Sequence, residues 1–281
     1  MSKDLERSLK DRIKAISKAQ NRAFNDLWKT LVLERFLARL ARSDRLDQLI
    51  FKGGFLLSKY LRLGRETADL DFSLKNTNGS METIRDLIEG IIALPGDDGF
   101  IFSNISVEQM DHPHMQYPGY EVSAIATLGQ TRTAIRIDLG IGDHVHPESM
   151  SIELLGLNNK PLFESDISLK VYPLSYIFAE KLEAVVYRGG TNSRMKDFYD
   201  LLLLSQLRDF NPKKHKDVIQ AVFQHRGTIF PTNLSYDAEA KGTLNRKWKR
   251  FLGAIEEESQ GKVPADFSEV VQAIDQMLAK L

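Results

Sequence analysis

The chain has no cysteine in its 281 residues. That excludes a disulfide framework, thiolate-ligated zinc and a thiol nucleophile, and it fits a reduced cytoplasm, where the protein is expected to reside. Long apolar runs are also missing. None approaches the roughly eighteen residues that a membrane-spanning helix needs, so no membrane partner is expected. Residues 1–18 carry Lys and Arg with no apolar stretch behind them, so no signal peptide is expected either. No internal repeat or low-complexity tract is visible. Net charge of one sign is absent as well: 38 basic and 38 acidic residues sum to zero. This excludes a uniformly basic nucleic-acid coat and an acidic solvating tail. What is present is ordinary for a folded chain, with 42% hydrophobic residues and a length that suggests two domains or one with an appendage.

The zero conceals a segregation. Residues 1–64 carry a net +8, residues 65–170 a net −10 and residues 186–250 a net +7. An acidic middle between basic flanks suits a carboxylate site that holds cations and faces an anionic substrate. The alternative is chance clustering on solvated faces.

Hydrophobic periodicity predicts two helices over residues 3–43, with Leu27, Leu31, Leu33, Phe36, Leu37 and Leu40 near a 3.6-residue spacing. Leu49-Ile50-Phe51 reads as a strand stopping at Gly53-Gly54, and Phe55 to Leu63 as a short helix closed by Gly64. Leu70, Phe72 and Leu74 alternate with polar residues as a half-buried strand does. A helix over 80–94 precedes three strands at 100–110, 119–128 and 132–140, the last two joined by a turn at Gly129-Gln130. Residues 141–165 read as irregular. From Pro173 the signals are helical: 173–188, 194–208, 213–225, 240–257 and 266–280. The expected organisation is an N-terminal helical segment (1–45), an α/β core (46–172) and a C-terminal helical domain (173–281).

Strand alternation places Asp69 and Asp71 on one face. Two adjacent carboxylates repel each other unless a cation neutralises them, and a hard divalent ion such as Mg²⁺ suits oxygen ligands. Asp138, alternating with Ile137 and Leu139, repeats the arrangement. Three strand-borne carboxylates are the usual platform for two metals, which activate a hydroxyl and stabilise a leaving pyrophosphate. Gly53-Gly54 opens a helix whose free N–H groups suit an anion, although a lone Gly-Gly is more often a plain turn. Arg65 and Thr67 lie on the approach to Asp69, where they meet phosphate oxygens or merely line a solvated loop. A second cluster falls on helices. Lys181 and Arg188, seven apart, share a face, and Arg194, Lys196, Asp197 and Asp200 follow. The plain reading is local ion pairs such as Lys196–Asp200, each worth a few tenths of a kcal/mol. The functional reading is Lys181 on a triphosphate, with Asp200 fixing the basic residues.

Together these residues resemble the AbiEii/AbiGii toxin family, a branch of the DNA polymerase β-type nucleotidyltransferases. The matching stretches are Phe51-Lys52-Gly53-Gly54-Phe55-Leu56-Leu57, Arg65-Glu66-Thr67-Ala68-Asp69-Leu70-Asp71-Phe72, Ile135-Arg136-Ile137-Asp138, Glu180-Lys181-Leu182-Glu183-Ala184 and Arg194-Met195-Lys196-Asp197-Phe198-Tyr199-Asp200-Leu201. They cover about residues 51–201, and their order is more specific than any one of them. Gly-Gly for the superfamily's common Gly-Ser, and Asp-x-Asp for Asp-Asp or Asp-Glu, are both normal in this branch. The resemblance implies an α/β (α+β) fold: a polymerase β-type core with a mixed sheet, flanked by N-terminal helices and a C-terminal helical domain. It implies Asp69 and Asp71 as the metal pair with Asp138 as third carboxylate, Mg²⁺ or Mn²⁺ as cofactor and an NTP as substrate. It implies Lys181 as the nucleotide-contacting base and Asp200, or else Asp197, as a further essential carboxylate. Family members are typically toxins with a cognate antitoxin, and some transfer nucleotides to the 3′ end of tRNA. A non-catalytic binding module on the same fold and an antibiotic-type small-molecule nucleotidyltransferase remain the alternatives.

Three side signals stand apart. His112/His114 and His144/His146 have a metal-ligand spacing but sit beside Pro in loops. Arg246-Lys247-Trp248-Lys249-Arg250 puts an aromatic amid four cations, which suits RNA or else an amphipathic helix with Trp248 in the core. Tyr117 and Tyr120 suit turn packing better than base stacking.

Overall fold

The computed structural model describes residues 2–61, 63–75, 79–110, 119–141, 145–158 and 160–281. The chain divides into two compact units. One comprises Met1–Lys59 and Thr67–Tyr172, the other Tyr60–Glu66 and Pro173–Leu281.

The first unit begins with two helices, α1 (Ser2–Gln20) and α2 (Phe24–Ala41). The strand β1 (Leu49–Lys52) follows, then helix α3 (Gly53–Tyr60), strand β2 (Leu70–Leu74) and helix α4 (Met81–Ile92). Strands β3 (Ile101–Met110), β4 (Gly119–Leu128) and β5 (Thr131–Ile141) form a meander. The remaining strands are β6 (Glu148–Glu153), the short β7 (Gly156–Leu157) and β8 (Lys160–Pro161), and β9 (Asp166–Val171). Seven strands form one mixed sheet in the order β3-β4-β5-β2-β1-β9-β6, with β2–β5 and β1–β9 parallel and the other pairs antiparallel.

Alternation assigns the sheet's faces. Phe51, Phe72 and Leu139 are register neighbours on one apolar face, and Phe36 of α2 meets Phe72 edge-on at 6.4 Å. The opposite face carries the polar residues between them. Helix α2 is buried on nearly every side from Leu27 to Leu40, with Leu27, Leu31, Leu33, Phe36, Leu37 and Leu40 among its buried apolar residues. It also takes Glu34, Arg35 and Arg39 into the interior. Each is paired: Glu34 with Lys59 and the Leu155 N–H, Arg35 with Glu164, and Arg39 through two bonds of 2.7 and 2.8 Å to Asp98. Glu6 of α1 accepts hydrogen bonds from Lys10, Thr131 and the Gln130 N–H, which lower its pKa to about 2 and tie α1 to the β4–β5 turn.

The second unit is helical: α5 (Leu174–Arg188), α6 (Met195–Ser205), α7 (Lys216–His225), α8 (Ala238–Leu252), the single turn α9 (Glu257–Gln260) and α10 (Phe267–Leu278). Its core includes Phe178, Phe198, Tyr199, Trp248 and Phe267. The segment 60–66 is anchored in this unit by three contacts. Tyr199 donates to the Leu63 carbonyl at 2.9 Å, the Glu256 N–H donates to the Gly64 carbonyl at 2.8 Å, and Arg65 pairs with Asp200.

Several expectations need correction. Residues 148–153, expected to be irregular, form β6, an edge strand whose only deeply buried side chain is Ile152. One inward residue leaves too little alternation to recognise. Its partner β9, with Ile167, Leu169 and Val171 inward, is missing from the expected strands. Helix α3 ends at Tyr60, not Leu63, because the chain there leaves for the second unit. Trp248 is fully buried and its indole N–H donates to the Pro264 carbonyl at 2.9 Å, so it cannot stack on a base. Tyr120 is buried in β4. Tyr117, His112, His114 and His144 lie outside the described residues.

The buried Arg39–Asp98 pair generates a prediction. Removing one partner strands the other's charge in the core, so Asp98→Ala should destabilise the first unit by about 3–5 kcal/mol. Urea unfolding of variant and wild type measures it.

Candidate active-site elements

Register builds the polar face of the sheet. Lys52 stands opposite Asp71, Asp71 beside Asp138, and Asp138 opposite Glu121. Register partners point to the same side, so these four side chains form a row across β1, β2, β5 and β4. Asp69 lies immediately before β2, not within it. Its Oδ2 accepts a hydrogen bond of 3.0 Å from Arg136, two residues before Asp138 on β5. Arg136 Nε is also 3.7 Å from Glu121 and 3.9 Å from Asp138. These contacts hold the Arg136 pKa above its ordinary value, the Asp69 hydrogen bond contributing most.

Asp138 shows the cost of concentrating like charge. Burial first, then Asp71 and Asp69, push its pKa up to about 6, with Glu121 adding to the rise and Arg136 opposing it. Its Oδ1 is buried and accepts no hydrogen bond. Gly53 explains how Asp71 fits. At φ +75°, Gly53 sits where a Cβ would lie 1.8 Å from Asp71 Oδ2, so its missing side chain makes room for the carboxylate. Gly54 follows it in the first turn of α3. Thr67, two residues before Asp69, has a buried hydroxyl without a hydrogen-bond partner.

Among the described residues, no three or more carboxylates or histidines are gathered closely enough to hold a metal ion. Of the three expected carboxylates, Asp69 is hydrogen-bonded to Arg136, and Asp71 and Asp138 are register neighbours. The donor set still suits a hard divalent cation. It is made of oxygens, Asp71 and Asp138 are register neighbours, and Asp138 Oδ1 accepts no hydrogen bond, Arg136 Nε lying 3.9 Å away. Alternation along β5 already sets Arg136 with Asp138 off the apolar face, whereas Glu121 and the hydrogen bond from Arg136 to Asp69 were not expected. The alternation of β4 against β5 was the available signal.

The second unit holds the other cluster. Asp197 and Asp200 lie one turn apart on α6, both buried. Lys181 of α5 reaches both, at 3.1 Å from Asp197 and 2.7 Å from Asp200. Arg65 Nη2 contacts both Asp200 oxygens, at 2.8 and 3.0 Å, and Arg194 Nε meets Asp197 at 2.7 Å. Asp200 thus pairs with Lys181 and Arg65 from other segments, instead of Lys196 on its own helix. Burial opposes the charge on Lys181, but Asp200 and Asp197 outweigh it and hold its pKa above the ordinary value. Burial likewise opposes the Asp197 charge, and Lys181 and Arg194 outweigh it, lowering that pKa. Lys196 is exposed. Partial loss of solvent around its ammonium, then the charges of Arg194 and Lys181, lower its pKa. Arg188 ends α5 and, among the described residues, makes no ion pair with this cluster.

The fold is that of a nucleotidyltransferase. A candidate nucleotidyltransferase from H. pylori, known from its crystal structure, aligns with a TM-score of 0.51 over 92% of this chain and 96% of its own, at 14% identity. JHP933 from Helicobacter pylori aligns over 92% of this chain and 93% of its own at 15% identity, with a TM-score of 0.46. No curated protein matches the chain. The family model described as nucleotidyl transferase AbiEii toxin, type IV TA system, matches residues 35–278. The chain belongs to this family, and nucleotidyl transfer is its activity at that general level. No described helix is long and apolar enough to cross a membrane.

Two predictions follow from the electrostatics. Asp138 carries a raised pKa, so its charged form is disfavoured in the fold and its penalty appears as pH rises from about 4 through about 6. Asp138→Asn should therefore raise the melting temperature of chelator-treated protein at pH 8 and change it little at pH 4. In the second unit, Asp200→Ala leaves Lys181 and Arg65 without their shared anion and should destabilise that unit by about 3–5 kcal/mol, read from denaturant unfolding.

Proposed function

We propose that the protein transfers an NMP from an NTP to a hydroxyl of an RNA, the 3′ end of a tRNA in first place, acting as the toxin of a toxin–antitoxin pair. The observation that carries this reading is the carboxylate row of the first unit, in which a buried Asp138 oxygen accepts no hydrogen bond. Asp69, Asp71 and Asp138 would hold Mg²⁺ or Mn²⁺. When bound, the metal supplies Lewis-acid stabilisation of the α-phosphate and of the leaving pyrophosphate. The new bond joins the acceptor oxygen to the α-phosphorus, the bond to the β-phosphate oxygen breaks, and the hydroxyl proton is lost.

The protein's own residues divide the remaining work. Gly53 leaves space for Asp71 and so keeps that carboxylate in line with Asp138. Lys181 stays protonated and supplies a fixed positive charge for the triphosphate, held in place by Asp200 and Asp197. Arg65, oriented by both Asp200 oxygens, adds a second such charge, and Arg188, Arg194 and Lys196 extend the basic surface. Thr67 offers an unused hydroxyl to a phosphate oxygen. The basic stretches 1–64 and 186–250 suit a polyanionic acceptor better than a small one. The cognate antitoxin would be a protein.

The test is incubation with each labelled NTP, Mg²⁺ and total tRNA. Wild type should label RNA, whereas Asp71→Ala and Lys181→Ala should lose at least about a hundredfold in rate, the scale of a lost electrostatic contact in a transition state. Labelling of protein or an aminoglycoside in place of RNA would redirect the acceptor. Equal labelling by wild type and variants would remove these residues from the site.

A further inference from the structure

Arg136 is a charge that the proposed reaction does not use. It projects from the same face of β5 as Asp138 and engages three anions: Asp69 at 3.0 Å, Glu121 at 3.7 Å and Asp138 at 3.9 Å. Its side chain is 50% exposed, so burial does not dictate this arrangement. The Asp69 oxygen it binds belongs to one of the three carboxylates proposed for the metal.

We propose that Arg136 is a built-in substitute cation. It neutralises the carboxylate face in the metal-free protein and must release Asp69 when a divalent ion binds. This rests on the reading that Asp69, Asp71 and Asp138 hold that ion. The physical basis is competition. A guanidinium and a divalent cation a few ångströms apart repel each other, and one carboxylate oxygen cannot serve both fully. Exposure makes the switch feasible, because an ion pair in contact with water contributes little and is easily exchanged. Glu121 provides the place for Arg136 to go. It is already 3.7 Å from Nε and lies outside the proposed ligand set.

The opposite role, an orienting contact that prepares Asp69 for the metal, predicts the opposite sign, so one measurement separates them. Mn²⁺ binding to the full chain is followed by the electron paramagnetic resonance signal of free Mn²⁺, for wild type, Arg136→Gln, Arg136→Lys and Asp71→Asn. Removing the competing charge should tighten Mn²⁺ binding by about tenfold in Arg136→Gln, while Arg136→Lys, which keeps the charge, should remain within about threefold of wild type. Unchanged or weaker binding by Arg136→Gln, with wild type binding Mn²⁺ and Asp71→Asn not, overturns the substitute-cation role and leaves the metal reading intact. Absence of Mn²⁺ binding by wild type, or equal binding by Asp71→Asn, overturns the metal reading and the role of Arg136 with it.

Discussion

Mutual repulsion among Asp69, Asp71, Asp138 and Glu121 is the constraint around which the first unit is arranged. Parallel pairing of β2 with β5 sets Asp71 beside Asp138, and antiparallel pairing of β5 with β4 brings in Glu121. The fold tolerates the concentration because the opposite face of the same strands carries Phe51, Phe72 and Leu139 into the core. Each inward apolar residue obliges its neighbours to face the other way, and Asp71 and Asp138 are such neighbours, beside Phe72 and Leu139. Slipping β2 by one residue would bury Asp71 and expose Phe72, so hydrophobic burial enforces the charge geometry. Arg136 lowers the electrostatic cost without removing it, as the raised pKa of Asp138 shows.

The second unit solves the converse problem. Lys181, Arg65 and Arg194 are brought close together, and Asp197 and Asp200, buried on one face of α6, keep them apart and charged. A cation held in this way keeps its position and its proton without paying rotamer entropy again on meeting a phosphate. The same cluster also holds the chain locally, because Asp200 anchors the excursion at residues 60–66 through Arg65.

Much of this was legible before any fold was known. The Leu70–Leu74 alternation marked β2 and its polar face, the Gly129-Gln130 turn marked the β4–β5 hairpin, and helical periodicity marked α1, α2 and α5 to α8. The motif order from Phe51 to Leu201 indicated the family that the match over residues 35–278 establishes. Strands β6 and β9 were not legible as a pair. An edge strand with one inward residue has almost no period, and the pairing between them is non-local. Glu121, and the anions that Arg136 meets, were not legible for a related reason. Nothing local says which residue on a neighbouring strand a side chain will face.

By itself, the sequence determined which residues are carboxylates and cations, their spacing along the chain, and the alternation that forces Asp71 and Asp138 off the apolar face. It also placed a glycine at position 53, although the need for one became visible only where Asp71 packs against it. The tertiary structure alone decided the partners: Asp138 with Asp71 and Glu121, Asp69 with Arg136, and Asp200 with Lys181 and Arg65. Spacing along a strand or helix is local geometry set by two dihedral angles per residue. Pairing between distant segments depends on strand register and helix packing, which are settled only when the whole hydrophobic core closes.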